Sequence, residues 1–347
     1  MKICIYTKRL NKYLDEGITN VAYELIKRLA RDHEVLAIYS VGDANKEDYI
    51  VKMPVNAFFI SLKLRKLIKR FQPDVILYIP RASATLLNFW RIRLLKQYSG
   101  AQKAIMLVLQ PHEFNFLSKR LAWLMKPDLI LTTSRKIYQD LVDMNCQTKF
   151  IPIGVDLQKF VPVTQSRKAE LRKKYGFNDR DFIVLHVGHI NRNRNIELLK
   201  QIRESGSQVL IVGSSSTPQD NVLLSELEAN KIKVITNYMM NIEEIYQLSD
   251  CYVFPVKHEN ACISPPLSVL EAMACNLPVI STRFNGLIDL FPEEGEGLFY
   301  CDTSKEFVAK VKYLRENREK ISITTRKMVE PYSWERCIIE INKFFQF

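Results

Sequence analysis

Glu271 sits in the run LEAMAC just after the loop of residues 264–268, while Arg192 and Arg194 in GHINRNRN and His112 in QPHE lie close behind short apolar runs. A carboxylate placed there can accept two neighbouring hydroxyls, and an arginine can grip two oxygens of one anion at once. Histidine can hydrogen-bond a hydroxyl or developing charge, the reading for His112, and His189 is neutral at pH 7 unless an anion raises its pKa. Gly188, just before His189, lets a neighbour approach the backbone closely. Pro265 and Pro266 have no N–H to give, so Leu267 and Ser268 supply the amides where a helix is expected to start. Each group also has a plainer reading. A glutamate in a first helical turn stabilises the helix dipole, a basic run is often a solvated loop, and a loop histidine is often only surface.

Other chemistries lack their patterns. The His-Glu pairs at His33, His112 and His258 never extend to HExxH. Asp179-Arg180-Asp181 has the spacing of a metal–diphosphate clamp, but NDRDF precedes a strand, where turn residues belong. No GxGxxG follows a strand, which argues against NAD or FAD, and neither GxxxxGKS/T nor GxSxG is present. The seven cysteines are scattered and never in CxxC spacing, so buried, reduced thiols are expected. No metal and no cofactor is expected.

Strand ends must hold these residues. At 347 residues, two domains are the natural division. Apolar runs at 3–6, 35–39, 75–79, 104–109 and 129–132 alternate with amphipathic stretches, and a second series follows at 182–187, 209–212, 234–235, 251–254 and 279–281. Near-continuous apolar strands alternating with helices imply α/β, doubly wound parallel sheets covered on both faces. Ligands of such sheets bind beyond the carboxyl ends of the strands. Two Rossmann-like domains are expected, facing each other across a cleft, with residues 151–166 (IPIGVDLQKFVPVTQS) as the linker. The expected division is residues 1–155 and 156–331, with a last helix at 332–347. No run is long and apolar enough to span a bilayer, and the start shows no secretory-signal pattern, so a cytoplasmic chain is expected.

Several segments, in order, resemble the retaining glycosyltransferases of the GT-B fold, of the group 1, family 4 type. KFIPIGVDLQKF is similar to that family's VIPNGVD, HVGHINRNRNIELL to its VG strand and loop, and VLIVGSSS to its IVG turn. NYMMNIEEIYQLSDCYVFP, SVLEAMACNLPVISTRFNGLIDL and PYSWERCIIEINKFF follow in the family's order, and EAMACNLPVIST is the specific part. The resemblance implies transfer of a sugar from a UDP- or GDP-sugar, with retention and without a metal, the nucleotide sugar being a substrate. It implies that Glu271 holds the ribose, that His189 and Arg194 stand where two cations neutralise the diphosphate, with Arg192 nearby, and that Tyr238 and Met239 lie by the base. Ser264, Leu267 and Ser268 fall in the loop before Glu271, Gly17 in an early glycine turn, and His112 beside the reacting sugar. The last helix is implied to cross back onto the first domain. The chain departs from the pattern at Ile263, where the family carries a second glutamate ahead of a glycine-rich turn; Glu259 substitutes only if the loop folds toward the sugar. A nucleotide-sugar-binding protein that has lost catalysis is the alternative.

The net charge of +12 lies entirely in residues 1–155, which hold 25 of the 50 Lys and Arg but 13 of the 38 Asp and Glu. Nucleic acid, an anionic membrane or a phosphorylated substrate would suit it. No nucleic-acid-binding module is recognisable, so no nucleic acid partner is expected. Residues 58–71 (FFISLKLRKLIKRF), 88–98 (NFWRIRLLKQY) and 114–126 (FNFLSKRLAWLMK) mix basic with large apolar side chains. Such stretches suit either a helix lying on an anionic membrane or a sheet-packed helix with a basic outer face. The acceptor is expected to be a saccharide or a lipid-linked acceptor, with peripheral attachment to the inner face of the membrane under the first reading.

Overall fold

The computed structural model describes residues 1–346 except Ala82, Glu113, 115–118, Arg120, Thr217, Glu259, Asn260, Glu296 and Ser322. Glu259, the substitute carboxylate of the sequence reading, therefore lies outside the described residues, as does much of the 114–126 stretch. The chain forms two compact units, one of residues 1–153, 262–265 and 335–347, the other of residues 154–261 and 266–334.

The first unit is built on a seven-stranded parallel sheet. Its strands are β1 (Lys2–Arg9), β2 (Glu34–Val41), β3 (Ile50–Lys52), β4 (Val75–Ile79), β5 (Lys103–Val108), β6 (Leu129–Thr132) and β7 (Thr148–Phe150), in the order β3-β2-β1-β4-β5-β6-β7. Consecutive residues Ile3, Cys4, Ile5 and Tyr6 are all buried, so both faces of the sheet are covered, as a parallel sheet with crossover helices requires. Those helices are α1 (Gly17–Asp32), α2 (Leu62–Phe71), α3 (Leu86–Ser99) and α4 (Arg135–Asp143). The Glu16 side chain caps α1 by accepting from the amides of Ile18 and Thr19, and Ser61 and Thr85 cap α2 and α3 in the same way.

The second unit repeats the scheme with six parallel strands: β8 (Ile183–Val187), β9 (Gln208–Val212), β10 (Lys233–Ile235), β11 (Cys251–Phe254), β12 (Val279–Ser281) and β13 (Leu298–Tyr300), ordered β10-β9-β8-β11-β12-β13. Its helices are α5 (Gln165–Lys174), α6 (Leu198–Glu204), α7 (Asn221–Ala229), α8 (Ile242–Leu248), α9 (Leu267–Ala274), α10 (Asn285–Ile288), α11 (Ser304–Glu316) and α12 (Thr325–Val329). The chain leaves β8 toward β9 on one side and returns to β11 on the other. That reversal opens a crevice at the carboxyl ends of β8 and β11, the place where such sheets bind ligands. The ladder between these two strands ends at Tyr252 with Leu185, so the strands part there.

Residues after 334 return to the first unit as the body of α13 (Trp334–Lys343). Arg28 donates to Glu335 across 2.8 Å, and a His33 ring nitrogen lies 3.1 Å from Asn342 Oδ1. The sequence reading puts residues 262–265 in the second half; the structure counts them with the first unit. The Ser264 amide donates to the Leu109 carbonyl at 3.1 Å, and the Thr133 hydroxyl donates to the Ser264 carbonyl. All seven cysteines are buried and none forms a disulfide. Among the described residues, no helix is long and apolar enough to cross a membrane.

Candidate functional site

In the second unit, β8 delivers Gly188 to the mouth of the crevice. A Cβ at this position would lie 2.4 Å from Arg194 Nη1, so only glycine lets the guanidinium lie across the strand end. The short 3₁₀ turn of Arg192–Arg194 ends at Asn195, whose left-handed backbone is held by a side-chain bond to the Pro255 carbonyl at 3.2 Å. This turn splits the two arginines. Arg192 faces solvent and pairs with Glu226 at 2.8 Å, Glu197 at 3.0 Å and Asp220 at 3.6 Å. Arg194 is 6% exposed, donates to the Ala261 carbonyl at 3.0 Å, and keeps a buried Nε with no partner. Among the described residues it has no carboxylate partner. The two other buried arginines by contrast hold carboxylates, Arg172 with Asp250 at 2.5 Å and Arg28 with Glu24 at 3.1 Å and Glu335 at 2.8 Å. A buried cation without a counter-ion costs several kcal/mol, a cost that an incoming anion removes. The structure therefore commits Arg192 to three carboxylates and gives Arg194 none among the described residues. His189 is half-buried at the start of the same loop.

The other wall is α9. Pro266 precedes it without a side-chain cap, and its carbonyl accepts from Val269 and Leu270, so Leu267 and Ser268 present the first amides of the helix. Glu271 lies one turn on, half-buried, and accepts a 2.7 Å hydrogen bond from the Tyr246 hydroxyl of α8. Burial raises the Glu271 pKa, while the Tyr246 bond and nearby Lys159 pull it down. One hydroxyl uses one of about four lone-pair sites of a carboxylate, which leaves capacity for two more donors.

Three rings join the two walls. Tyr246 lies 6.0 Å from Tyr252, which stacks at 6.4 Å on His186 of β8. The Tyr252 hydroxyl donates to the Val187 carbonyl at 3.2 Å and shares a 2.7 Å bond with Ser268 Oγ. His186 Nδ1 donates to the Val253 carbonyl at 2.9 Å, just past the last ladder pair. Burial lowers the His186 pKa to about 4, so the ring is neutral at pH 7, and its buried Nε2 lacks a partner. None of these three rings is singled out by the sequence reading. Tyr246 and Tyr252 both fall in the segment NYMMNIEEIYQLSDCYVFP, which carries the resemblance but in which the sequence marks neither tyrosine.

The remaining candidates lie elsewhere. Tyr238 and Met239 are half-buried after β10, two strands out from β8. Gly17, Ser264 and His112 belong to the first unit. A Cβ on Gly17 would come within 2.9 Å of Ile263 Cδ1, so the close approach at this glycine is made by a buried isoleucine. Ser264 is buried, with its peptide spent on Leu109 and Thr133. His112 is exposed, edge-on to Phe114 at 5.0 Å.

Sequence models of known families match both halves. That described as "Glycosyltransferase Family 4" matches residues 16–159, and "Glycosyl transferases group 1" matches residues 167–330. Over 321 residues the chain is 27% identical to the sulfoquinovosyl transferase of Arabidopsis thaliana, covering 84% of the chain and 60% of that protein. It is 23% identical to the alpha-monoglucosyldiacylglycerol synthase of Acholeplasma laidlawii, covering 60% and 55%. These matches thus span little more than half of either relative. The fold matches that of HepE of Anabaena, solved in complex with UDP-glucose, at a TM-score of 0.76 and 14% identity over 99% of both chains.

Proposed function

Since the chain belongs to the group 1 glycosyltransferases of the GT-B fold, we propose that it moves a hexosyl group from a nucleoside-diphosphate sugar to an acceptor hydroxyl, with retention at the anomeric carbon and without a metal. The observation that carries this reading is Arg194, buried at the carboxyl end of β8 with no carboxylate partner among the described residues and held against Gly188. As the bond from the anomeric carbon to the diphosphate breaks, the departing oxygen gains charge. Arg194, the amides of Leu267 and Ser268, and His189 once the anion has raised its pKa, are disposed to stabilise that charge. Glu271 takes the ribose hydroxyls, with Tyr246 fixing its rotamer.

Uridine is favoured over guanosine by the UDP and UDP-glucose complexes of HepE. A lipid or lipid-linked acceptor is favoured by the diacylglycerol in the name of the Acholeplasma relative and by the basic first half. Titration with UDP, GDP and UDP-glucose, followed by assay of UDP release with and without a diacylglycerol or glycolipid acceptor, tests the reading. Acceptor-dependent release supports transfer, and absence of nucleotide binding overturns the site. The buried Ile263 supports a second reading, a protein that binds nucleotide sugar without transferring it; UDP-glucose binding with no release under any acceptor would favour it.

A further inference from the structure

The turn before α2 displays apolar side chains at considerable structural cost. Phe58 is 57% exposed, Ile60 61% and Leu62 75%, whereas Phe59 between them is buried against Tyr6 at 4.4 Å. Phe59 holds a left-handed backbone (φ +62°), a strain that phenylalanine rarely accepts. Four side chains then pin the backbone. Arg91 donates to the Ala57 carbonyl at 2.8 Å, Trp90 to Phe58 at 3.0 Å, Tyr98 to Phe59 at 3.3 Å, and Asn56 to Ile60 at 3.0 Å. The turn is thus rigid, and its three outward side chains are held in place rather than left loose. Behind them α2 presents Lys63, Arg65, Lys66, Lys69 and Arg70, all exposed, and none has an ion-pair partner among the described residues. From Tyr49 to Pro73 the sequence contains no acidic residue.

We infer that this turn and α2 form a docking surface for an anionic lipid bilayer, with Phe58, Ile60 and Leu62 entering the acyl boundary and the α2 cations lying among the headgroups. An apolar edge beside unpaired cations matches a surface that is apolar below and negative above. A phosphate-rich polymer such as RNA would satisfy the cations but leave the three apolar side chains in water. The inference goes beyond the donor chemistry, because it names where the enzyme works and not what it transfers.

Vesicle flotation tests it, comparing phosphatidylcholine alone with vesicles containing about one third phosphatidylglycerol. The wild-type chain should float with the anionic vesicles and remain at the bottom with the neutral ones. Lys66→Gln/Lys69→Gln should weaken partitioning about fivefold per charge removed. The triple variant Phe58→Ser/Ile60→Ser/Leu62→Ser should no longer float. Leu62→Glu, at the most exposed of these positions, gives the same readout without touching the fold, which circular dichroism verifies. Equal flotation with both vesicle types, flotation of Leu62→Glu like wild type, or capture by polyuridylate with no flotation would overturn the inference. UDP binding measured on the same samples keeps this separate from the donor site: flotation without UDP binding sinks the donor reading alone, and the converse sinks this one alone.

Discussion

The Tyr246 hydroxyl donates to Glu271 across 2.7 Å, from one helix of the second unit to the next. A buried tyrosine that gives its only proton to a carboxylate does two things. It fixes the rotamer, and it favours the ionised form against the desolvation that raises the Glu271 pKa.

Glu271→Ala should weaken UDP binding by roughly 10- to 100-fold, the cost of losing hydrogen bonds to a charged group. Tyr246→Phe should weaken it less and should shift the acid limb of the binding profile. If Glu271 holds the ribose as proposed, it does so as the carboxylate, and affinity should fall as pH drops through the Glu271 pKa. Removing a bond that holds this pKa down moves the fall to higher pH. Calorimetric titration of UDP from pH 7 to pH 4.5 measures both effects. Equal profiles for wild type and Tyr246→Phe would detach Glu271 from the nucleotide.

The two arginines should behave oppositely. Arg194→Ala removes the buried cation and should lower kcat by about 10²- to 10³-fold, the usual result of deleting one group that stabilises transition-state charge. Arg192→Ala removes only solvent-screened surface ion pairs and should leave UDP affinity within twofold of wild type. Single-turnover kinetics on both variants decides between them. A larger loss from Arg192→Ala would mean that the loop turns over when donor binds.

Ten apolar runs read from sequence are all strands of the two sheets, because buried parallel strands announce themselves as β-branched runs. The three strands without such a run, β3, β7 and β13, are three-residue edge strands. An edge strand pairs on one side only and needs little apolar sequence to hold it. Arg192 and Arg194 look equivalent in NRNRN; only the 3₁₀ turn, which ends at the left-handed Asn195, sends one to the acids and one to Gly188. The grouping of residues 262–265 with the first unit was illegible too, since Leu109 and Thr133 lie more than a hundred residues upstream.

Gly188→Ala tests the placement of Arg194 without changing a charge. The new methyl group would stand 2.4 Å from Nη1 and 3.2 Å from the guanidinium carbon, so the side chain must move. UDP affinity should fall nearly as far as in Arg194→Ala. The melting temperature should fall as well, because alanine rarely adopts the backbone of this glycine (φ +159°), so affinity is compared at a temperature where both chains are folded. Near wild-type affinity would show that the diphosphate does not use the guanidinium where it now lies.

His186 ties the site to the stability of the second unit. Its pKa is about 4 in the fold, against 6.5 for an exposed imidazole, because burial opposes charging. Above pH 6.5 neither folded nor unfolded chain carries the proton, and the group has no effect. As pH falls from 6.5 to 4, the unfolded chain takes up a proton that the folded chain refuses, so stability is lost, by about 3 kcal/mol in all. His186→Phe keeps a ring on Tyr252 but leaves the Val253 carbonyl unpaired, which should cost about 1–3 kcal/mol at pH 7.5. In exchange, the variant should lose much less stability than wild type between pH 6.5 and pH 4.5. Urea midpoints across that range read the two slopes. Parallel slopes would mean that the imidazole reaches water in the fold, and the packing of His186 on Tyr252 beside Tyr246 would then not be closed.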